Sequence, residues 1–188
     1  MVQTKVRFES FEEYLAYDDG TDYLYELFNG ELVALPPESG RNFSIAGFLF
    51  MQFASILGHQ RVRGHGLELE VRGEPRNRFP DLTILREEHI EQLQKRNTIR
   101  LSMAPPLLVI EIVSPGDLQR DRDYIAKRSQ YQDRGIPEYW IIDPQTEEIL
   151  QLSLTEAGFT EVQYQQDEQI RFQLIELNLT TAQILAAG

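Results

Sequence analysis

A chain of 188 residues, 41% hydrophobic and 26% charged, has the size and composition of a single folded domain with a real core. It has no cysteine, which excludes disulfides and thiolate zinc sites and fits a reducing cytoplasm. No apolar run approaches the roughly 18–20 residues of a membrane span, and the N-terminal MVQTKVRFESFEEY lacks the apolar stretch of a signal peptide. The formal net charge of −12 argues, as a total, against a nucleic-acid partner, yet residues 41–134 carry 15 basic and 12 acidic side chains, whereas 1–40 and 135–188 carry 2 and 1 basic against 9 acidic each.

In chain order, Ser10-Phe11-Glu12-Glu13 predicts a capped short helix, with Ser10 as N-cap and Glu13 answering it. YLYELFNGELVAL then predicts a hairpin, because Asn29-Gly30 suits a two-residue turn with positive φ, and Pro36-Pro37 ends its second strand. The dense apolar stretch from about Asn42 to Leu57 predicts a largely buried helix stopped by Gly58. Residues 61–71 alternate as one strand. FPDLTIL (79–85) is a second, and a polar helical stretch follows around 87–96. After Pro105-Pro106, LLVIEIVS (107–114) has the continuous, β-branched apolar character of a strand covered on both faces. One long helix is expected from about Asp117 to Arg134, with acidic residues near its start and Gly135 at its end, and EYWIID (138–143) is another buried strand. The remainder alternates like short antiparallel strands to about Phe172, and a helical turn begins after Thr180. Without repeats or linkers, the economical reading is one α/β domain over 1–188, with a core of about 10–150 and a β-rich extension of about 145–188.

Several chemistries are missing. His59, His65 and His89 have no zinc-hydrolase spacing, Gly64-His65-Gly66 lacks the third glycine of a dinucleotide fingerprint, and no phosphate-binding glycine loop or serine-nucleophile motif occurs. Asn178-Leu179-Thr180 matches a glycosylation acceptor but carries no weight without a secretory signal.

Two carboxylates interrupt otherwise buried strands: Asp81, directly after Pro80, and Glu111, between Val109-Ile110 and Ile112-Val113. A buried ionised carboxylate must be paired, hydrogen-bonded or bound to a cation, and two in one site oppose joint ionisation unless a cation neutralises them. Magnesium, held by one or two carboxylates plus water and substrate phosphate, matches that stoichiometry. The simpler alternatives are a strand-edge cap for Asp81 and, for Glu111, a salt bridge to an arginine such as Arg122 or Arg128. Phosphate chemistry also needs a cation, and 15 of the 18 basic residues are arginine; among the three lysines (Lys5, Lys95, Lys127), Lys127 lies in the helix after the Glu111 strand. Helical spacing puts Tyr124, Lys127, Arg128 and Tyr131 on one face, where Lys127 is alternatively a snorkelling surface lysine.

The ordered segments YELFNGELV (25–33), FPDLTIL (79–85), LLVIEIVSPGD (107–117) and RDYIAKRSQYQDRGIPEYWIIDP (122–144) resemble the Uma2 family of endonucleases, placed in the PD-(D/E)XK nuclease superfamily; the resemblance spans roughly 10–150. It implies a restriction-endonuclease-like fold, a mixed central sheet with flanking helices, and metal-dependent hydrolysis of DNA phosphodiester bonds with Mg²⁺ or Mn²⁺. Asp81 matches the aspartate of the Pro-Asp motif, Glu111 the acid of the Glu-x-Lys motif, and Glu26 the upstream glutamate that completes the metal set. Val113 stands where the usual lysine would be, and the resemblance implies that Lys127 replaces it from the following helix. Tyr131, one turn beyond Lys127, is expected to orient it or contact the backbone. Asn42 stands where relatives carry histidine. A homodimer is expected, because two sites related by a twofold axis cut both strands of a duplex most simply. Two rival readings are a silent nuclease fold that binds nucleic acid or assembles, and a purely structural protein with an arginine on Glu111.

Overall fold

The computed structural model describes residues 6–173, 175 and 177–188, so the first five residues of the N-terminal stretch lie outside it. Helix α1 (Phe11–Ala16) starts where Ser10 Oγ accepts the Glu13 N–H at 3.1 Å, while the Glu13 carboxylate accepts from Glu9 N–H (2.8 Å) instead of closing the box on Ser10. Strands β1 (Tyr25–Phe28) and β2 (Glu31–Ala34) form the expected hairpin, with φ of 49° at Asn29 and 79° at Gly30. Helix α2 (Gly40–Leu57) begins slightly earlier than the apolar pattern, because the Ser39 side chain caps the Asn42 N–H, and it ends at Gly58 with φ 83°.

The stretch 61–71, expected as one strand, is two strands in two sheets. Strand β3 (Val62–Gly64) ends in a turn closed by Leu67 N–H to the Gly64 carbonyl, and β4 (Glu68–Glu70) leaves in another direction. Glycines on both sides of His65 allow that break, which alternation alone does not reveal. Next come β5 (Asn77–Arg78), β6 (Leu82–Ile84), α3 (Glu87–Gln92), β7 (Thr98–Ile99) and β8 (Leu108–Ile112). The crossover that follows is helical but not one α-helix: α4 (Asp117–Asp121), a π-helical segment (Arg122–Lys127) and α5 (Arg128–Arg134), ended by Gly135 in the left-handed region. Strands β9 (Glu138–Asp143), β10 (Glu148–Thr155) and β11 (Gly158–Gln165) and helix α6 (Thr181–Leu185), capped by Thr180, complete the chain.

The main sheet has the order β11-β10-β9-β8-β6-β3. Only β8 and β9 run parallel, as a helical crossover between them allows, and the other pairs are antiparallel. Both β8 and β9 are buried along their whole length, the reason for their near-continuous apolar sequences. Ile110, Ile112, Trp140 and Ile142 meet Ile45, Leu49 and Phe53 of α2 on one face, whereas Val109, Val113 and Ile141 meet Tyr131 of α5 on the other. The sheet therefore lies between two helical layers. A smaller sheet, β5-β4-β7, receives the β1–β2 hairpin through Asn77, whose Oδ1 accepts the Leu27 N–H at 2.7 Å and whose Nδ2 donates to the Tyr25 carbonyl at 2.9 Å.

Asn77 is fully buried, and Asn77→Ala leaves those two backbone groups without a partner. The variant should lose about 2–3 kcal/mol of stability, read as a lower urea midpoint with an unchanged m-value.

Candidate active site

The register of β6 on β8 pairs Leu82 with Ile110, and one step further sets Asp81 opposite Glu111. Leu82, Ile110 and Ile112 point into the α2 side of the core, so alternation turns both carboxylates to the opposite face, under the crossover helix. Asp81 is held by the Ile112 N–H, which donates to its Oδ2 at 2.6 Å. Glu111 is 1% exposed; its Oε2 accepts from Lys127 Nζ at 2.7 Å and its Oε1 from the Tyr131 hydroxyl at 2.5 Å. The partner of Glu111 is thus a lysine and a tyrosine, while Arg122 sits against Asp123 and Arg128 against Glu161.

The π-helical segment sets this contact. Side chains in such a wide turn stay in line at four-residue spacing and fall out of line at three. The shared face expected for Tyr124, Lys127, Arg128 and Tyr131 is accordingly split. Asp123, Lys127 and Tyr131 form the stripe over Glu111, whereas Arg120, Tyr124 and Arg128 form the neighbouring one, facing Asp143, Glu148 and Glu161. Lys127 Nζ also lies 2.8 Å from Asp123 Oδ1. Asp123 is itself 1% exposed, and its second oxygen has no hydrogen-bond partner among the described residues. In the sequence it was only one of several acids near a helix start.

Glu26, Asp81, Glu111 and Lys127 all line one cleft of about 270 Å³. Glu26 is engaged there by the buried Arg78, whose Nη1 donates to Glu26 Oε1 at 3.0 Å. Two further residues meet Asp81: one ligand atom each of Glu38, His65 and Asp81 lie within 4.8 Å of one another. Sequence reasoning passed over both, since His65 has no histidine at metal-binding spacing and Glu38 looks like a loop acid after two prolines. Val113 is fully buried against apolar neighbours, and Asn42 clamps the strand end by donating from Nδ2 to the Ile112 carbonyl at 3.0 Å.

Burial pushes the Glu111 carboxyl up to about 7, against the pull of Lys127 and with Asp81 and Asp123 adding to the rise. Burial works to lower the Lys127 ammonium, but Glu111 and Asp123 outweigh it and hold the group above its ordinary value. The Tyr131 hydroxyl is raised far above its usual range by burial and by Glu111, so it remains a donor. The nearby Asp81 carboxylate raises His65 in spite of burial, and burial together with Asp81 raises Glu38. The carboxyl groups of Glu26, Glu38, Asp81 and Glu111 line the cleft together with two cations, Lys127 and Arg122. That gathering of carboxyl oxygens fits a divalent cation, which would hold the raised carboxyls in their charged form.

The Uma2 family model, described as "Putative restriction endonuclease", matches residues 11–184. Among solved structures, the chain is similar to a protein from Anabaena variabilis described as a putative nuclease belonging to DUF820, with a TM-score of 0.68 at 16% identity, over 94% of this chain and 97% of that one. At that identity the likeness is one of fold. No curated protein matches the chain.

Glu111 also predicts a pH dependence. Its folded value of about 7 lies above an ordinary value of 4.5, so within that window the folded state holds a proton that the unfolded chain releases. Its contribution makes stability fall as pH rises through the window and level off above it. Urea denaturation between pH 5 and 8 should show a steeper decline for the wild type than for Glu111→Gln; parallel curves would refute the assignment.

Proposed function

Because the chain belongs to the Uma2 family, we propose that it is a divalent-metal-dependent endonuclease hydrolysing phosphodiester bonds in DNA. The observation that carries this reading is the opposition of Asp81 and Glu111 on adjacent strands with the Lys127 ammonium 2.7 Å from Glu111. The position of Val113 offers no cation, and Lys127 brings one to the same carboxylate from the helix, since function depends on where the charge sits and not on which element carries it. Asp81 and Glu111 would hold Mg²⁺ or Mn²⁺, with Glu26, paired to Arg78, in an outer supporting place. The ion supplies Lewis acidity toward a phosphate oxygen and lowers the pKa of a bound water.

The chain's own groups take defined parts in this scheme. Lys127 stays protonated at neutral pH, because its neighbours hold it above the ordinary lysine value, so it acts as a cation toward the phosphate and not as a general base. Tyr131 and Lys127 together fix the rotamer of Glu111, and Asp123 keeps Lys127 over the cleft. Arg122, which also lines the cleft, adds positive charge near its opening. Two copies related by a twofold axis would serve cleavage of both strands of a duplex.

Plasmid nicking with Mg²⁺ or Mn²⁺ tests the reading. Cleavage should fall by at least about 100-fold in Asp81→Asn, Glu111→Gln and Lys127→Ala, and chelation should abolish it in the wild type. Losing Lys127 leaves Glu111 and Asp123 unpaired at a cost of about 3–5 kcal/mol, so circular dichroism must accompany that variant; Asp81→Asn is the independent arm. Unchanged cleavage by folded Lys127→Ala would sink the lysine's role. A net charge of −12 weighs against a polyanionic partner and favours one second reading, a silent nuclease fold serving as an oligomerising module; self-association with neither DNA affinity nor cleavage would select it.

A further inference from the structure

The carboxylates of the cleft differ in how far their oxygens are already engaged. Glu111 accepts from Lys127 on one oxygen and from Tyr131 on the other, and Glu26 is tied to the buried Arg78. On Asp81, the Ile112 N–H takes Oδ2, while Oδ1 faces His65 Nδ1 at 3.6 Å, too long for a hydrogen bond; that nitrogen is buried and has no hydrogen-bond partner among the described residues. Glu38 closes the triangle, with all three ligand atoms within 4.8 Å of one another. Ligands about 2.1 Å from one ion lie at most about 4.2 Å apart. The trio therefore reaches coordination distance by a small inward turn of side chains, and Glu38 and His65, half-buried, have room to make it.

We propose that Glu38 and His65 complete the ion site with Asp81, giving a mixed oxygen and nitrogen donor set that favours Mn²⁺ and neighbouring first-row ions over Mg²⁺. This rests on the metal-dependent reading above and adds the ligand set and the ion preference to it. Imidazole suits first-row transition ions, whereas Mg²⁺ takes oxygen donors and keeps its water. The three ligands come from places the fold brings together separately: the loop before α2, the break between β3 and β4, and the residue before β6. Glu111 can join this set without giving up either hydrogen bond, since each of its carboxylate oxygens keeps a second lone pair.

Mn²⁺ titrated into the full chain, followed by calorimetry and by electron spin-echo spectroscopy, tests the ligand set directly. The wild type should bind Mn²⁺ with nitrogen modulation from a coordinated imidazole. His65→Gln should abolish that modulation and weaken Mn²⁺ by at least about tenfold while Mg²⁺ changes by less than about threefold, and Glu38→Gln should weaken both ions. Neither residue belongs to a core cluster, so both variants should unfold near the wild-type temperature. Mn²⁺ bound without nitrogen modulation, or bound equally well by His65→Gln, overturns the ligand set and leaves metal dependence standing. Equal binding by Asp81→Asn, or no binding by the wild type, overturns both.

Discussion

A lysine ammonium buried between the crossover helix and the main sheet, at the wall of the cleft, is the constraint on which the rest of the site depends. Taking such a group out of water costs several kcal/mol, and attraction offsets this only when the partners are close and well placed. Here the partners are Glu111 Oε2 at 2.7 Å and Asp123 Oδ1 at 2.8 Å, one from strand β8 and one from the turn of helix just before the lysine. Satisfying both at once fixes the rotation of the helix over the sheet as well as its height. The π-helical segment meets this demand. It is the local winding that lets Asp123, Lys127 and Tyr131 descend on Glu111 in one line.

A second constraint lies on the other carboxylate and passes through a single residue. The N–H of Ile112 donates to Asp81, and its carbonyl accepts from Asn42 at the start of α2. The last residue of β8 thus joins β6, β8 and α2 where the cleft opens, and its side chain packs into the α2 face of the core. Displacing α2 would therefore reach Asp81 through one residue's backbone. The Asn42 amide serves strand geometry directly, with both of its hydrogen bonds spent on Ile112 and Ser114.

How much of this the sequence carries depends on whether the signal is local. Asp81 and Glu111 are legible because a charge inside an apolar strand is an anomaly wherever it occurs, and the hairpin at Asn29-Gly30 and the Gly58 stop of α2 are legible because positive φ selects residue type. Lys127 is legible only beside the pattern of a known family. Glu38 and His65 gave no signal, since their proximity to Asp81 is made by three loops far apart in the chain. The π-helical segment is hidden for a related reason. Its residues have ordinary helical character, and the widened turn is selected by a tertiary contact, so the four-residue stripe over Glu111 cannot be separated by spacing from the mixed stripe that includes Tyr124 and Arg128.

Charge is where the sequence pattern and the structure diverge most usefully. The sequence concentrates arginine in the middle of the chain, where on charge alone it reads as ordinary surface charge in an acidic protein. In the structure several of these arginines are engaged in ion pairs, Arg78 buried and the others partly exposed. Arg78 pairs with Glu26, Arg96 with Glu68, Arg100 with Glu12 and Glu70, Arg120 with Asp143, and Arg128 with Glu161. Several of these partners belong to the acidic ends of the chain, so the basic middle binds the ends to itself, and its net of +3 is not a free patch. Under the proposed function, attraction for a phosphate then falls to the cleft, to Lys127, Arg122 and the ion held by the carboxylates. Under the same proposal the ion would offset the negative charge around Asp81 and Glu111 that otherwise opposes phosphate, so substrate binding and catalysis would depend on the same occupancy.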